Sequence, residues 1–480
     1  MTSIETVLKS KGPLLSSELS KEVAAKESIS YNTASQRVVR NSELERIKGF
    51  FVSRQSLCFL KEHALSDILL KSLTKNLFES GRKYWYCLNA VNLHGGTISQ
   101  RFLECYTNYP VAPLKSHIPF KKVMQNFVKS NILVFDGTDY HFSPKLIRQF
   151  PNTFYLRTIE AIKDDILENF HSFTRNTGMI SYNSGEKFSE FGKFRWAFKG
   201  TSAVSGLTQN NKSGFLLADI IIGTPINEND ILFFVDKLKK VKSFQNSSNI
   251  LPFLIVDDLS KEALVLLKRN GIIVGFIKEL FGQKYAESLK ELISILNNAG
   301  ASLKKTPDKY LDLLKELKKY NEGLVNNIRG ALFEFLVGHI HSTKTNSSID
   351  IGREIIVDNA RHEMDVLAVY PDEIVIAECK ATKSMIDDDD IDKWLGVKLP
   401  AFRKWVSNQE TWRKKKIKFE YWSVSGFTDD ALSMLQARKA SVSKFSLDYF
   451  GSSEIRSEVL KVDNKKMKEA LDDFFLKPNV

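Results

Sequence analysis

The sequence predicts a multidomain α/β protein with a helical N-terminal region, on three observations. The first is length: 480 residues exceed what one ordinary core fills, so two to four domains are expected. The second is a change of pattern along the chain. Before about residue 155 short helices alternate with brief paired strands, whereas apolar strands and amphipathic helices alternate beyond 190, the mark of an α/β layer. The third is composition: 43% hydrophobic and 26% charged residues describe a globular chain, not a disordered one.

Charge and cysteine usage narrow the class. Lys and Arg number 69 against 57 Asp and Glu, a formal charge of +12. That excess favours a polyanionic partner without requiring one. Cys58, Cys87, Cys105 and Cys379 show no CxxC spacing, which argues against a disulfide frame or a zinc site and for a reducing compartment. The opening residues carry no signal-peptide pattern, and no apolar run approaches the roughly 18 residues of a membrane span. A cytoplasmic protein with no membrane partner is expected.

The first 58 residues read helix, helix, helix, hairpin. "SIETVLKSKG" ends at Gly12, Ser16 is placed to cap "SSELSKEVAAK", and "SISYNTASQRVVRNSE" forms a third helix. "LERIKGFFVSRQ" then reads as two short strands turning near Lys48-Gly49. This order resembles a winged helix-turn-helix, whose third helix would enter the major groove. Asn32, Thr33, Gln36, Arg37 and Arg40 on its polar side combine the amide, hydroxyl and guanidinium groups that read base edges. The same fold can serve protein contact alone. Residues 59–153 read as a helical region with a candidate second winged helix, in which helix Phe120–Ser130 precedes a hairpin turning at Asp136-Gly137.

Residues 154–300 are expected to form an α/β scaffold. "SGFLLADIIIGTP", "NILPFLIVDD" and "IIVGFI" are its strands, and "SKEALVLLKRNG" a helix ending on Gly271. A break around Gly300–Pro307 reads as the linker to a last domain at 308–480. Two stretches share a plan. In 252–277 and 420–445, Val256, Ser260, Ala263 and Leu264 match Val424, Thr428, Ala431 and Leu432 without a gap, which suggests duplication of one fold. Strand-turn-helix units look alike, so chance remains the alternative.

The chemistry concentrates in "EMDVLAVYPDEIVIAECKA". It reads as a hairpin whose turn, "YPDE", holds Pro371. Pairing Val369 with Ile374 sets Asp365 opposite Glu378, with Cβ atoms about 4.5–5.5 Å apart. Facing carboxylates repel unless a divalent cation lies between them, and Mg²⁺ takes carboxylate oxygens while keeping several waters. Lys380 shares the face of Glu378 and can hold or take a proton from a water there. Upstream, "NIRGALFEFLVGHIHS" is apolar nearly all round and carries one acid, Glu334, which needs a partner if the helix is buried.

Glu334 on a helix opening with Gly330, then Asp365, then Glu378-x-Lys380 resembles the PD-(D/E)xK nuclease superfamily, closest to Mrr-type restriction endonucleases, over about residues 310–450. "WSVSGFTDDALSML" is similar to the strand-turn-helix that follows the active site in that type. The resemblance implies a restriction-endonuclease-like α/β/α domain that cleaves phosphodiesters with Mg²⁺ or Mn²⁺. Asp365 and Glu378 would be metal ligands, the Cys379 carbonyl a third, Lys380 the residue that orients water, and Glu334 an outer acid. Met364 stands where the family carries proline, and the helix after the site lacks the Gln often found there. The earlier α/β layer then reads as a degenerate copy, since Ala218-Asp219-Ile220 stands where E-x-K would be expected.

Other features weigh less. "WRKKKIKF" sets Arg413, Lys414 and Lys415 beside aromatics, a pattern that engages phosphates and stacks on bases, or a solvated basic turn. The "DDDD" run at 387–390 suits a helix N-terminus. His339 and His341 lie two apart on a helix, share no face and are assigned no metal. The reading is a metal-dependent DNA endonuclease of restriction or anti-phage defence, acting on double-stranded DNA as a homodimer or with a partner nuclease subunit. Its rivals are a DNA-binding regulator or assembly subunit with a silent nuclease-like domain, and a repair or junction nuclease.

Overall fold

At the N-terminus a narrow apolar stripe and the cap of the third helix set the helices. Ser16, expected to cap the second, is its first residue and accepts from the Ser56 N–H instead. The structure, a computed structural model, describes residues 3–476 except 66, 145, 147–152, 203, 205, 206, 208–212, 224, 245–248, 307, 321, 345, 346 and 359. Helices α1 (Ser3–Lys11), α2 (Ser16–Glu27) and α3 (Tyr31–Arg40) surround Leu8, Leu19, Val23, Ala34 and Val38. Ser30 caps α3 by accepting from the Thr33 N–H at 3.2 Å. Strands β1 (Leu14–Leu15), β2 (Glu45–Lys48) and β3 (Ser56–Phe59) form a small antiparallel sheet in the order β1-β3-β2. The sequence put a tight turn at Lys48-Gly49, but Lys48 pairs with Ser56, so residues 49–55 form a longer connection. Its Phe50 is buried, with its ring 4.9 Å from those of Tyr84 and Phe127. Packing, not strand pairing, takes this aromatic pair.

After α4 (Asp67–Ser80) the same order of elements returns: α5 (Arg82–Leu93), β4 (Thr97–Ser99), α6 (Gln100–Cys105), α7 (Phe120–Lys129), β5 (Leu133–Phe135) and β6 (Asp139–Phe142). Its sheet order, β4-β6-β5, repeats that of the first module. The hairpin turns at Asp136-Gly137 as expected. Phe135 pairs with Tyr140, and Gly137 takes φ +108°, which favours glycine.

Helix α8 (Thr153–Asn176) leads to a five-stranded sheet built from β7 (Glu186–Phe191), β8 (Phe194–Thr201), β9 (Phe215–Ile221), β10 (Ile250–Val256) and β11 (Ile273–Phe276). The strands lie in sequence order. The first two junctions are antiparallel and the last two parallel, the parallel crossovers being α9 (Leu232–Lys242) and α10 (Lys261–Arg269). The chain divides into two compact units, Met1–Pro151 with Asn169–Phe276, and Asn152–Glu168 with Ile277–Val480. The first therefore holds both small modules and this sheet. The boundary at Phe276/Ile277 falls inside the stretch 154–300 that the sequence had grouped together.

The second unit continues with α11 (Ile277–Phe281), α12 (Gln283–Asn297), α13 (Ala299–Lys305), α14 (Lys309–Tyr320), α15 (Glu322–Asn327) and α16 (Arg329–Ser342). The expected linker is absent at Gly300, which sits within α13; a Cβ there would come 2.3 Å from the Ile349 carbonyl oxygen, so only glycine allows this approach. Pro307 lies outside the described residues. Strands β12 (Ser348–Val357), β13 (Ala360–Val369), β14 (Glu373–Lys380), β15 (Lys416–Ser423) and β16 (Ser446–Phe450) form a second five-stranded sheet. Its crossover between β14 and β15 carries α17 (Asp388–Lys393), a π-helical turn Trp394–Lys398 and α18 (Leu399–Ser407). Helix α19 (Asp429–Ser441) links β15 to β16, and α20 (Ser452–Lys461) and α21 (Lys465–Ala470) follow.

The two large sheets share one topology: consecutive strands, two antiparallel junctions, then two parallel ones. The residues matched by sequence occupy equivalent places. Ser260 accepts from the Ala263 N–H and Thr428 from the Ala431 N–H, each at a helix N-terminus, and both alanines are fully buried.

Candidate active site

The β13–β14 hairpin positions the acids. Val369 pairs with Ile374 and Val366 with Ala377, and continuing this register brings Asp365 to Glu378. The antiparallel ladder stops at Val366 and Ala377, so the two carboxylates stand where the strands part. Asp365 Oδ2 accepts the Cys379 N–H at 2.7 Å. Both acids are buried, at 8% and 4% exposure.

Their charges differ because their neighbours differ. Burial and the nearby Glu378 charge push the Asp365 carboxyl up to about 7, against the pull of Lys380 and Lys398. Burial works the same way on Glu378, but two ammonium groups outweigh it and hold its pKa below the ordinary value. Lys380 Nζ donates to Oε1 at 2.6 Å, and Lys398 Nζ reaches Oε1 at 2.6 Å and Oε2 at 2.7 Å. Burial opposes the Lys380 charge as well. Asp365 and Glu378 overcome it, so the ammonium is held strongly protonated.

Glu334, on α16, completes the cluster. The residue is partly exposed, yet its Oε2 is enclosed and has no hydrogen-bond partner. Burial, then the charges of Asp365 and Glu363, drive its pKa well up. A protonated carboxyl at the edge of two ionisable acids marks a place short of positive charge.

A hard divalent cation suits these donors. Mg²⁺ is ordinarily held by one or two carboxylates with waters completing its shell, and Asp365 and Glu378 supply that number. Among the described residues no three His, Cys, Asp or Glu side chains converge as a ready-made cage. The orphaned Glu334 oxygen and the raised Asp365 pKa are the signs that added positive charge would be welcome. Burial keeps the Cys379 thiol protonated, so that residue offers a carbonyl and not a thiolate.

Lys398 was missed in the sequence. The segment that lacks the Gln supplies this lysine to Glu378 instead. Its signal was spacing: four residues after the buried Trp394, it shares that inward side and must find a partner. Conversely, the basic stretch does not join the site. Lys416 pairs with Glu373 and Ser423 with Lys380, which puts residues 413–415 at the far end of β15, roughly 23 Å along the strand. There Lys415 Nζ donates to the Pro371 carbonyl at 2.8 Å and Arg413 Nε to that of Ser407 at 3.0 Å, while Lys414 is exposed. Asp387 caps α17 through the Asp390 N–H at 3.0 Å.

The N-terminal candidates do share a surface. Asn32, Thr33, Gln36, Arg37 and Arg40 are all exposed on α3. Arg37 is ion-paired with Glu27, and Thr33 Oγ1 lies 2.8 Å from Ser30 Oγ, so Arg40 is the freer cation. A separate buried network lies on the other face of the large sheet. Glu378 pairs with Tyr421, which turns Glu420 away from the site. Glu420 meets His341 at 3.1 Å, Lys418 at 2.9 Å and the Trp422 indole N–H at 2.9 Å. Burial would raise its pKa, but His341 and Lys418 hold it at about 2. This is a satisfied structural cluster.

No family model matches the chain, and no curated protein matches it. Among solved structures it is similar to Can2 from Sulfobacillus thermosulfidooxidans in complex with cyclic tetra-adenylate. Sequence identity is 15%, over 50% of this chain and 81% of that one, with a TM-score of 0.20. A likeness this slight carries neither fold nor function. Among the described residues no helix is long and apolar enough to cross a membrane.

Proposed function

We propose that this chain is a metal-dependent DNA endonuclease of the PD-(D/E)xK type, with N-terminal winged helices that bind the duplex and a middle sheet that serves as scaffold. The observation that carries the reading is the meeting of Asp365, Glu378, Lys380 and the orphaned Glu334 carboxyl where β13 and β14 part. Asp365 and Glu378 would hold Mg²⁺ or Mn²⁺, with the Cys379 carbonyl beside them. When bound, such a cation neutralises phosphate charge and makes water a better nucleophile. Lys380 orients the water and faces the phosphate, and its charge, sustained by two carboxylates, suits that role. Lys398 keeps Glu378 ionised. The reaction is hydrolysis: water adds to phosphorus and the P–O bond to the leaving oxygen breaks. Restriction or anti-phage defence is the setting that the family resemblance suggests, with a homodimer or a partner nuclease subunit for double-strand cleavage.

A silent nuclease-like domain is the second reading, favoured by the engagement of both Glu378 oxygens with lysines. Incubating the pure protein with supercoiled plasmid, with and without Mg²⁺, separates the two. Mg²⁺-dependent nicking that disappears in a folded, DNA-binding Asp365→Ala variant supports the nuclease. No cleavage by the wild type, or undiminished cleavage by that variant, overturns it.

A further inference from the structure

The first compact unit contains a cavity of about 470 Å³ between the start of α5, the end of α9 and the loop holding His117. Its size lies within the roughly 300–1,000 Å³ of small-ligand sites. Arg82 and Lys83 line it from α5, and Lys239 and Lys240 from α9. The only acid in the lining is Asp236, whose carboxylate accepts the Tyr86 hydroxyl. Among the described residues none of the four cations forms an ion pair. We propose that this cavity binds a compact ligand carrying two or more phosphoryl groups, the charge pattern of a nucleoside di- or triphosphate.

The bland account of clustered cations fails for half of them. Lys239 and Lys240 end α9, where positive charge complements the helix dipole. Arg82 and Lys83 begin the twelve-residue α5, where that dipole opposes them. Their own helix does not favour these two cations; neighbouring rings do so in part, Lys83 Nζ lying 5.3 Å from that of Tyr84. Arg82 is also held in place: its guanidinium lies 3.9 Å above the Phe78 ring and 4.9 Å from that of Trp85. A fixed guanidinium loses little freedom when it takes up a phosphate oxygen. Lys240 is half-buried, and loss of water lowers its pKa despite the nearby Asp236, as expected of an ammonium awaiting an anion. One sign of charge in a concave site concentrates anions there. Four cations gathered around one bounded concavity suit a compact polyphosphate, whose charges lie close together, better than an extended nucleic-acid backbone.

The test is direct binding by calorimetry on the full chain, using inorganic pyrophosphate, ATP and a duplex oligonucleotide as separate probes. Pyrophosphate or ATP is expected to bind the wild type, and the Lys239→Gln/Lys240→Gln variant to bind it at least about tenfold more weakly, one charge-assisted contact's worth or more. A control variant, Lys121→Gln/Lys122→Gln, loses the same charge at exposed positions on α7, outside this cavity, and should bind pyrophosphate and ATP as the wild type does. Tighter binding of ATP than pyrophosphate identifies a nucleotide, and equal binding identifies the phosphates alone; both support the proposal. Duplex binding that responds to Lys239 and Lys240 without pyrophosphate or ATP binding overturns it, as does equal weakening in both variants or no binding of either small anion.

Discussion

Glu378 is buried between two lysines, and that redundancy has consequences. Removing either ammonium leaves the other on the carboxylate, whereas removing both strands a buried charge, at a cost of about 3–5 kcal/mol. Lys380→Ala and Lys398→Ala should therefore each fold and melt close to the wild type, while the double variant loses several kcal/mol by thermal melting. Cleavage should divide the pair differently, with Lys380→Ala losing roughly 10²–10⁴-fold in rate, the usual range for a proton-handling group, and Lys398→Ala losing less. A Lys398→Ala protein that melts as low as the double variant would refute the redundancy, and one slowed as much as Lys380→Ala would move the catalytic role. Glu334 makes a separate prediction about pH. Its folded pKa lies well above the ordinary 4.5, so above that pH the fold retains a proton that the unfolded chain has released. Stability must then fall as pH rises. Glu334→Gln removes that slope, so in metal-free buffer it should gain stability on the wild type as the pH rises above 5. Parallel melting curves across that range would show the raised pKa to be wrong.

Single elements show which parts of the sequence could be read. Helix α3 was legible because Ala34 and Val38 form a two-position stripe and most other positions are polar, exposed Val39 and Tyr31 excepted. Replacing Arg37 and Arg40 by Ala should weaken duplex binding and flatten its dependence on salt, since fewer counterions are released. Most of the effect should come from Arg40, because Arg37 is already paired with Glu27. An unchanged salt slope in the double variant would assign α3 to protein contact. The hairpin β13–β14 was equally clear, since two apolar runs flank a Pro-containing turn and leave one register. Strand β7 was not: "EKFSEF" exposes residues on both faces at a sheet edge, so it lacks the alternation that marks a half-buried strand. Residues 49–55 misled for the opposite reason, because Phe50 and Phe51 look like strand residues but are buried outside the sheet, Phe50 against the distant rings of Tyr84 and Phe127. Lys398 and the far placement of Lys415 depend on which residues a crossover brings home, and local spacing carries only part of that.

At the scale of the whole chain, two sheets of one topology differ in what stands on their third strand. The equivalence that runs through Ser260 and Thr428 sets Leu254 at Trp422. Since Leu254 pairs with Asp219 and Trp422 with Cys379, Ala218 and Ile220 then fall where Glu378 and Lys380 stand. Asp219 itself is spent on Lys237 at 2.6 Å, a fully buried pair whose ammonium also donates to the Cys105 and Arg195 carbonyls. Under the proposed function each chain thus brings one cutting site, and two strand breaks need two chains. Mixing experiments expose this. Asp365→Ala chains titrated into wild type at constant total protein should lower linear plasmid more steeply than nicked plasmid, because a mixed pair can break only one strand. At equal proportions of the two chains, random pairing leaves about a quarter of the pairs able to make both cuts. Linear product that instead falls in simple proportion to the wild-type fraction would mean that one chain makes both cuts, and the middle sheet would then have to be reconsidered as a second site.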